Sequence, residues 1–307
     1  MTTHQLPATR DTTVDVFNRE HRPVLTVDAG DTVVVESFDA SGYLDRQNVP
    51  GEQQPRMFAE ARGHCLTGPV AIRGAAPGDM LSVRLVHLRP GPWGWTVAGA
   101  RKSPVTERLG LDDCEPSWLL WELDADAATG RSDRGFVRTL APFLGVVGLA
   151  PELPGEHSTT PPRAEVGGNI DCRELVAGAT LFLPVAVAGA LLYLGDGHAA
   201  QGDGEVGGTA IECPMTTEVV LDVVTDRPLP TIHAETPAGR VTFGFDADLN
   251  AAMGDALAAM VTWMRQLFGL DQGTALALAS TCVDLRITQV ANLTWGVHAV
   301  LPTGAIG

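Results

Sequence analysis

Residues 195–205 read Gly-Asp-Gly-His-Ala-Ala-Gln-Gly-Asp-Gly-Glu. Asp196, His198, Asp203 and Glu205 fall in this one stretch, spaced by glycines. Carboxylate and imidazole are ligands for hard or borderline divalent metals, and carboxylates also serve as general bases. Glycine lets the backbone turn sharply enough to bring short polar side chains toward one point. The plainer reading is two surface turns, because Asp-Gly and Gly-Asp-Gly are ordinary turn sequences. The flanks favour chemistry. The uncharged run 175–195 precedes the loop, and Thr209-Ala-Ile-Glu-Cys-Pro214 follows it. A carboxylate beside buried strands is costly unless paired or ligated.

The same test picks out other residues. Glu212 sits in the apolar segment Ala210-Ile-Glu-Cys213, Asp171 follows the tight turn Gly167-Gly-Asn169, and His157 lies in the Pro-rich loop 151–163. Asp171, His198 and Glu212 would supply three metal ligands and leave a position for water, as catalytic zinc sites do. A divalent ion lowers the pKa of water enough for attack on a carbonyl at neutral pH. Asp203 or Glu205 could take the proton. Two other readings stand beside this one. Asp203, Glu205 and backbone carbonyls would suit a structural Ca²⁺ site. Without any metal, the acids would form a turn and salt-bridge network with Arg163, Arg173 and Arg286.

Nucleophilic catalysis has little support. No Gly-x-Ser-x-Gly elbow is present. Lys102 is the only lysine, in the ordinary stretch Ala100-Arg-Lys-Ser-Pro104. Cys65, Cys114, Cys172, Cys213 and Cys282 are scattered with no CxxC pair, which fits reduced thiols in a cytoplasmic protein. Cys172 and Cys213 adjoin candidate acids, and core packing is the favoured role for both. Neither a GxGxxG after a strand nor a Walker loop is found.

The elements that must position these groups come from a chain of 307 residues with net charge −16, which argues against nucleic acid or an anionic membrane as partner. The polar stretch 1–22 does not read as a signal peptide. The run 175–195 is long enough to span a bilayer, but Gly178, Pro184 and Gly189 interrupt it. Two buried strands, 180–187 and 190–194, joined by a turn, are predicted instead. Further strands are expected over 22–27, 32–36, 70–74, 80–88, 143–149, 209–213, 217–224, 283–290 and 295–301. Turns ending in Gly-Asp before the Val-rich strands suggest a meander. Residues 124–134 read as a turn or exposed loop. Met253, Leu257, Met260, Val261, Met264, Leu267 and Phe268 recur at helical spacing over 249–268, with Gly269 as a stop. Asp271 caps a second helix reaching about Thr281. The fold class is β-rich α+β: antiparallel sheets in sandwich- or barrel-like arrangement with a late helical pair. It divides into regions 1–100, 101–250 (carrying the active-site loops) and 251–307, packed as one unit. No βαβ rhythm of a doubly wound sheet appears.

At these residues the chain resembles the acetamidase/formamidase family. The likeness is carried by Leu66-Thr-Gly-Pro-Val70, Gly74-Ala-Ala-Pro-Gly-Asp79, Phe143-Leu-Gly-Val-Val-Gly-Leu-Ala-Pro151, Gly167-Gly-Asn-Ile-Asp171, the acidic loop 195–205, Ala210-Ile-Glu212 and Asp284-Leu-Arg-Ile-Thr-Gln289. The resemblance implies a β-rich homo-oligomer that hydrolyses short carboxamides to acid and ammonia. Some relatives carry zinc or another divalent ion, and some open cyclic amides such as γ-lactams. It implies metal association for Asp171, His198 and Glu212, and a functional acidic loop including Asp196, Asp203 and Glu205. Within that frame Glu205 is the expected base, and His157 orients substrate or protonates the leaving amine. Asn169, or backbone N–H groups of Gly167-Gly168, would stabilise the oxyanion. His64-Cys65 departs from the Asn-Pro of relatives, and a member that binds small ligands or metal without turnover is the alternative.

Overall fold

The computed structural model describes residues 1–99, 101–226 and 229–306. Two large sheets dominate. One has nine strands, drawn from Thr3–Leu6 through Trp295–Pro302; the other has eleven, and a two-stranded pair is separate. Most pairings are antiparallel, although Thr3–Leu6 runs parallel to Thr32–Ser37 and Leu25–Val27 parallel to Leu66–Ile72. The largest apolar cluster joins both sheets, with Val33, Val83, Leu181 and Val219 from one and Ile72, Leu144, Leu149 and Leu194 from the other. The β-rich α+β class expected from the sequence is the observed one.

The apolar strand Phe143–Leu149 and the helix Leu249–Phe268 occupy the residues their patterns predict. The second helix, Gln272–Cys282, starts at Asp271, whose side chain accepts from Thr274 N–H. The face of the long helix differs from expectation. Ala252, Ala256, Met260 and Met264 are buried, while Met253, Leu267 and Phe268 are exposed. The reason is close approach. A Cβ on Gly244 would lie 2.0 Å from the Ala252 carbonyl oxygen, so the helix rests directly on the strand Gly239–Asp246 and small side chains must face it.

Three local readings are corrected. The turn-linked strands become Thr180–Pro184 and Leu192–His198, and they lie in different sheets. Thr32–Ser37 and Met80–Pro90 do not form a meander, because Met215–Val224 inserts between them and pairs with both. Residues 117–139 form the strands Ser117–Asp124, Thr129–Ser132 and Val137–Thr139. Trp121 packs inward from the first of these. Among the described residues no helix is long and apolar enough to cross a membrane.

Candidate active site

The acidic segment is only half a loop. Gly195–His198 is the end of the buried strand Leu192–His198. This strand lies between Phe143–Leu149 on one side and Leu66–Ile72 and Glu212–Cys213 on the other. Strand side chains alternate, so Asp196 and His198 fall on the same face. The register places His198 opposite both Phe143 and Glu212. Asp171 arrives just after the strand Gly167–Asn169, and its N–H donates to the Gly145 carbonyl. Glu205 is brought in by a loop whose Gly204 N–H donates to the Thr288 carbonyl, with Val290 N–H returning to Gly204.

Asp171, Asp196 and His198 form one group whose ligand atoms lie within 4.8 Å of one another; His198, Glu205 and Glu212 form a second. His198 is common to both. Its Nε2 is 3.4 Å from Asp196 Oδ1 and 3.3 Å from Glu212 Oε2. Its Nδ1 meets Gln201 Oε1 at 2.9 Å, and Gln201 Nε2 donates to the Asp171 carbonyl. The Phe143 ring meets the imidazole edge-to-face. Glu212 Oε1 accepts from Ala210 N–H.

Gly145 forms the floor. A Cβ there would lie 2.5 Å from Asp196 Oδ2, 2.7 Å from Asp171 Oδ1 and 2.8 Å from His198 Cε1. Three of the acids also hold left-handed backbone, with φ of 54° at Asp171, 60° at Asp196 and 44° at Glu205. Such φ values are uncommon outside glycine and gather at functional sites.

The electrostatics are those of like charges shut away from water. Burial raises the Asp171 carboxyl, and Asp196 and Glu212 raise it further. Burial and Asp171 raise Glu205 in the same way. Burial also raises Glu212, against the pull of His198. Asp196 ends low: burial opposes its charge, but His64 and His198 outweigh it. Burial likewise opposes charge on His198, yet Glu212 and Asp196 together raise it.

Asp171 Oδ1 and Oδ2, Asp196 Oδ1 and Glu212 Oε2 are buried without a hydrogen-bond partner. Buried polar atoms normally have partners. Oxygen donors together with one imidazole nitrogen fit a divalent cation. Among the described residues no arginine or lysine pairs with any of these acids. Arg286 pairs with Glu174 and Asp284, and Arg163 lies over the Phe17 ring.

Several expected residues stand elsewhere. Asp203 is exposed. His157 is half-buried, its Nε2 toward the Leu153 carbonyl and its backbone paired with Phe17. Gly168 packs toward Phe17 and Pro161. Asn169 is buried opposite Val146, which in turn faces Gly195, and its Oδ1 has no partner. Lys102 is on the surface beside Asp113. Burial pushes the Cys172 and Cys213 thiols up, which suits packing and not nucleophilic attack. In the sequence Asp196 is legible only as part of an acidic loop, and Gly145 only as one position of the motif Phe143–Pro151.

Comparison with known proteins agrees with the motifs. The profile of the Acetamidase/Formamidase family matches residues 4–158 and 154–229. This chain belongs to that family. An acetamidase from Mycolicibacterium smegmatis is 28% identical over 261 residues, covering 64% of this chain and 63% of its own. A formamidase from Methylophilus methylotrophus is 25% identical over 242 residues, covering 62% of this chain and 59% of its own. The chain thus spans less than two thirds of the length of either. The crystal structure of an acetamidase from Bacillus halodurans superposes with a TM-score of 0.86 at 27% identity, covering 97% of both chains.

Proposed function

We propose that this protein hydrolyses small linear carboxamides, using water to give a carboxylate and ammonia. The observation that carries the reading is the buried group of Asp171, Asp196, His198, Glu205 and Glu212, whose oxygens are crowded and partly unpartnered. Asp171, Asp196, His198 and Glu212 would hold one divalent cation, with zinc favoured by the imidazole in the set. Such an ion would supply Lewis acidity toward the amide carbonyl and lower the pKa of water.

The chain's own groups do the rest. Glu205 is 6% exposed against 1–2% for Asp171, Asp196, His198 and Glu212, so it stands where solvent meets the group. Its raised pKa suits a base that takes a proton from water and returns it to the leaving nitrogen. Asn169, buried two residues before Asp171 with its Oδ1 unpartnered, would accept from the substrate N–H₂. Gln201 fixes the tautomer and tilt of His198. Membership of the family and the named acetamidase and formamidase relatives support the substrate class.

The test is ammonia release from acetamide, formamide, propionamide and a γ-lactam, with chelation followed by Zn²⁺ restoration. Turnover of a linear amide that disappears with chelator and returns with zinc is expected. In His198→Ala, metal and turnover should be lost together while the fold persists. Full activity in that variant would sink the assignment. Stoichiometric metal with no turnover on any amide would favour a binding protein.

A further inference from the structure

We propose that His64 is a substrate-contact residue whose Nδ1–H donates to the carbonyl oxygen of the bound amide. The inference rests on the amidohydrolase reading above and assigns a residue that reading leaves unused.

His64 is placed by the strand that follows it. Leu66–Ile72 pairs antiparallel with Leu192–His198, with Leu66 opposite Gly195. The Cys65 carbonyl lies 2.9 Å from where a Cβ on Gly195 would stand. Continuing outward, His64 therefore emerges beside the end of the strand that carries Asp196 and His198.

Its backbone is held on every side. Arg62 N–H donates to Asp15 Oδ2, and the Arg62 guanidinium pairs with the same carboxylate. Gly63 is pressed so closely on Thr159 that a Cβ would overlap its hydroxyl. His64 N–H donates to Thr159 Oγ1 at 2.6 Å, and Cys65 N–H to the Ala40 carbonyl at 3.0 Å. Thr159 is fully buried. A side chain on so constrained a segment arrives already oriented, which is what a substrate contact needs.

The ring has an unused atom. His64 Nδ1 is closed to solvent and has no partner, although the residue as a whole is only half-buried. Continuing the register past Leu66 and Gly195 sets Cys65 beside Asp196, so this unpartnered ring belongs to the residue next along from the acid group.

The chemistry of the amide supplies the match. Its N–H₂ donates, and the ionised carboxylates offer acceptors in excess. Its carbonyl oxygen needs a donor. His198 cannot serve, because Nδ1 is taken by Gln201 and Nε2 lies between Asp196 and Glu212. His64 Nδ1 is a buried, unpartnered ring nitrogen that donates when it carries the proton. Charge grows on the carbonyl oxygen during attack, so the contact strengthens in the transition state.

The experiment compares wild type, His64→Ala and His64→Gln for acetamide turnover, bound metal and melting temperature. His64→Ala should lower kcat/KM on the order of 100-fold, the scale for one oxyanion donor. Metal content and melting temperature should be unchanged. His64→Gln, which keeps a donor, and added imidazole with the alanine variant should each restore part of the loss. Turnover in His64→Ala within threefold of wild type would overturn the proposal. A loss accompanied by loss of metal or of folding, with no rescue, would also overturn it.

A second readout does not depend on turnover. In Glu205→Gln, the histidine ring ¹⁵N signals are followed as acetamide is added, with His64 assigned by its disappearance in His64→Gln. A shift confined to His64 supports the contact even if wild type hydrolyses nothing. No shift at His64 in a protein that does turn over acetamide removes His64 and leaves the function standing. No shift and no turnover remove both.

Discussion

Two sets of buried acids in this molecule have opposite surroundings. Asp15, Asp31 and Asp39 are at most 5% exposed, and each is supplied with donors. Arg62 meets Asp15 through both main chain and guanidinium. Thr2 N–H and His4 meet Asp31. Ser41 N–H, Tyr43 N–H and the Trp95 indole meet Asp39. Asp171, Asp196, Glu205 and Glu212 share one imidazole and face one another, and four of their oxygens accept no hydrogen bond. Asp15 and Asp31 are arranged to fold, their burial offset locally so that both carboxyls end low, whereas burial and Glu212 still raise Asp39 to about 7 despite its three donors. The second set is complete only with something that it binds.

Gly145→Ala is the sharpest way to break the second set without changing any acid. A methyl group would stand within 2.8 Å of Asp196, Asp171 and His198. Displacements of about 1 Å at a reacting centre cost on the order of 100-fold in rate, so kcat/KM should fall at least that far. Bound metal, measured by atomic emission, should fall with it. Normal activity in this variant would mean that the group is not the reacting centre.

Paired Asp→Asn changes should then move stability in opposite directions. Asp15→Asn removes the buried one of the two carboxylate partners of Arg62 and should destabilise by about 1–3 kcal/mol in urea titrations, with metal content retained. Asp171→Asn removes one of the repelling charges. The metal-free protein should melt a few degrees higher while metal binding is lost. A drop in metal-free stability on Asp171→Asn would erase the contrast.

The smallest expected effect is the response to pH. His4 and the Thr2 N–H lower Asp31 to about 2. The unfolded state then binds the proton more readily, so this contribution is present above about 4 and is lost as pH falls toward 2. Asp171 and Glu205 are raised, so the sign reverses. Folded carboxyls there keep protons that the unfolded chain releases above about 4, and metal-free stability falls as pH rises from that point. Chelator-treated protein should therefore have its melting maximum at a more acidic pH than metal-loaded protein. Coincident maxima would argue against the repulsion.

The legible parts of the site were those with a local signature. Glu212 stood out as an acid in an apolar segment, and Asp171 as an acid after a glycine turn. His198 and Glu205 stood out by their company. Asp196 and His198 carry a further sign, a spacing of two that puts them on one face of a strand. Reading 195–205 wholly as a loop concealed it. Asp203 and His157 satisfied composition alone, and tertiary structure leaves one exposed and turns the other to the Leu153 carbonyl. Gly145 and His64 lie in stretches the sequence singles out, the motif Phe143–Pro151 and the departure His64-Cys65, but their individual roles are not readable there for a different reason. A glycine in Phe143–Leu149 acquires its role only when that strand lies against Leu192–His198. His64 acquires its role only through Thr159, 95 positions away in the chain. Ser117–Asp124 is hard to read because the three consecutive half-buried apolar residues Trp118, Leu119 and Leu120 blur strand alternation.

The left-handed backbone at Asp171, Asp196 and Glu205 bears on how this site can be dissected. An alanine at any of these positions removes a carboxylate and also resists the required φ, so a single deletion reports two losses added together. Asparagine and glycine tolerate that geometry. Replacement by asparagine isolates charge, and replacement by glycine isolates the side chain. The gap between either one and alanine measures what the backbone itself contributes to holding the acids in place.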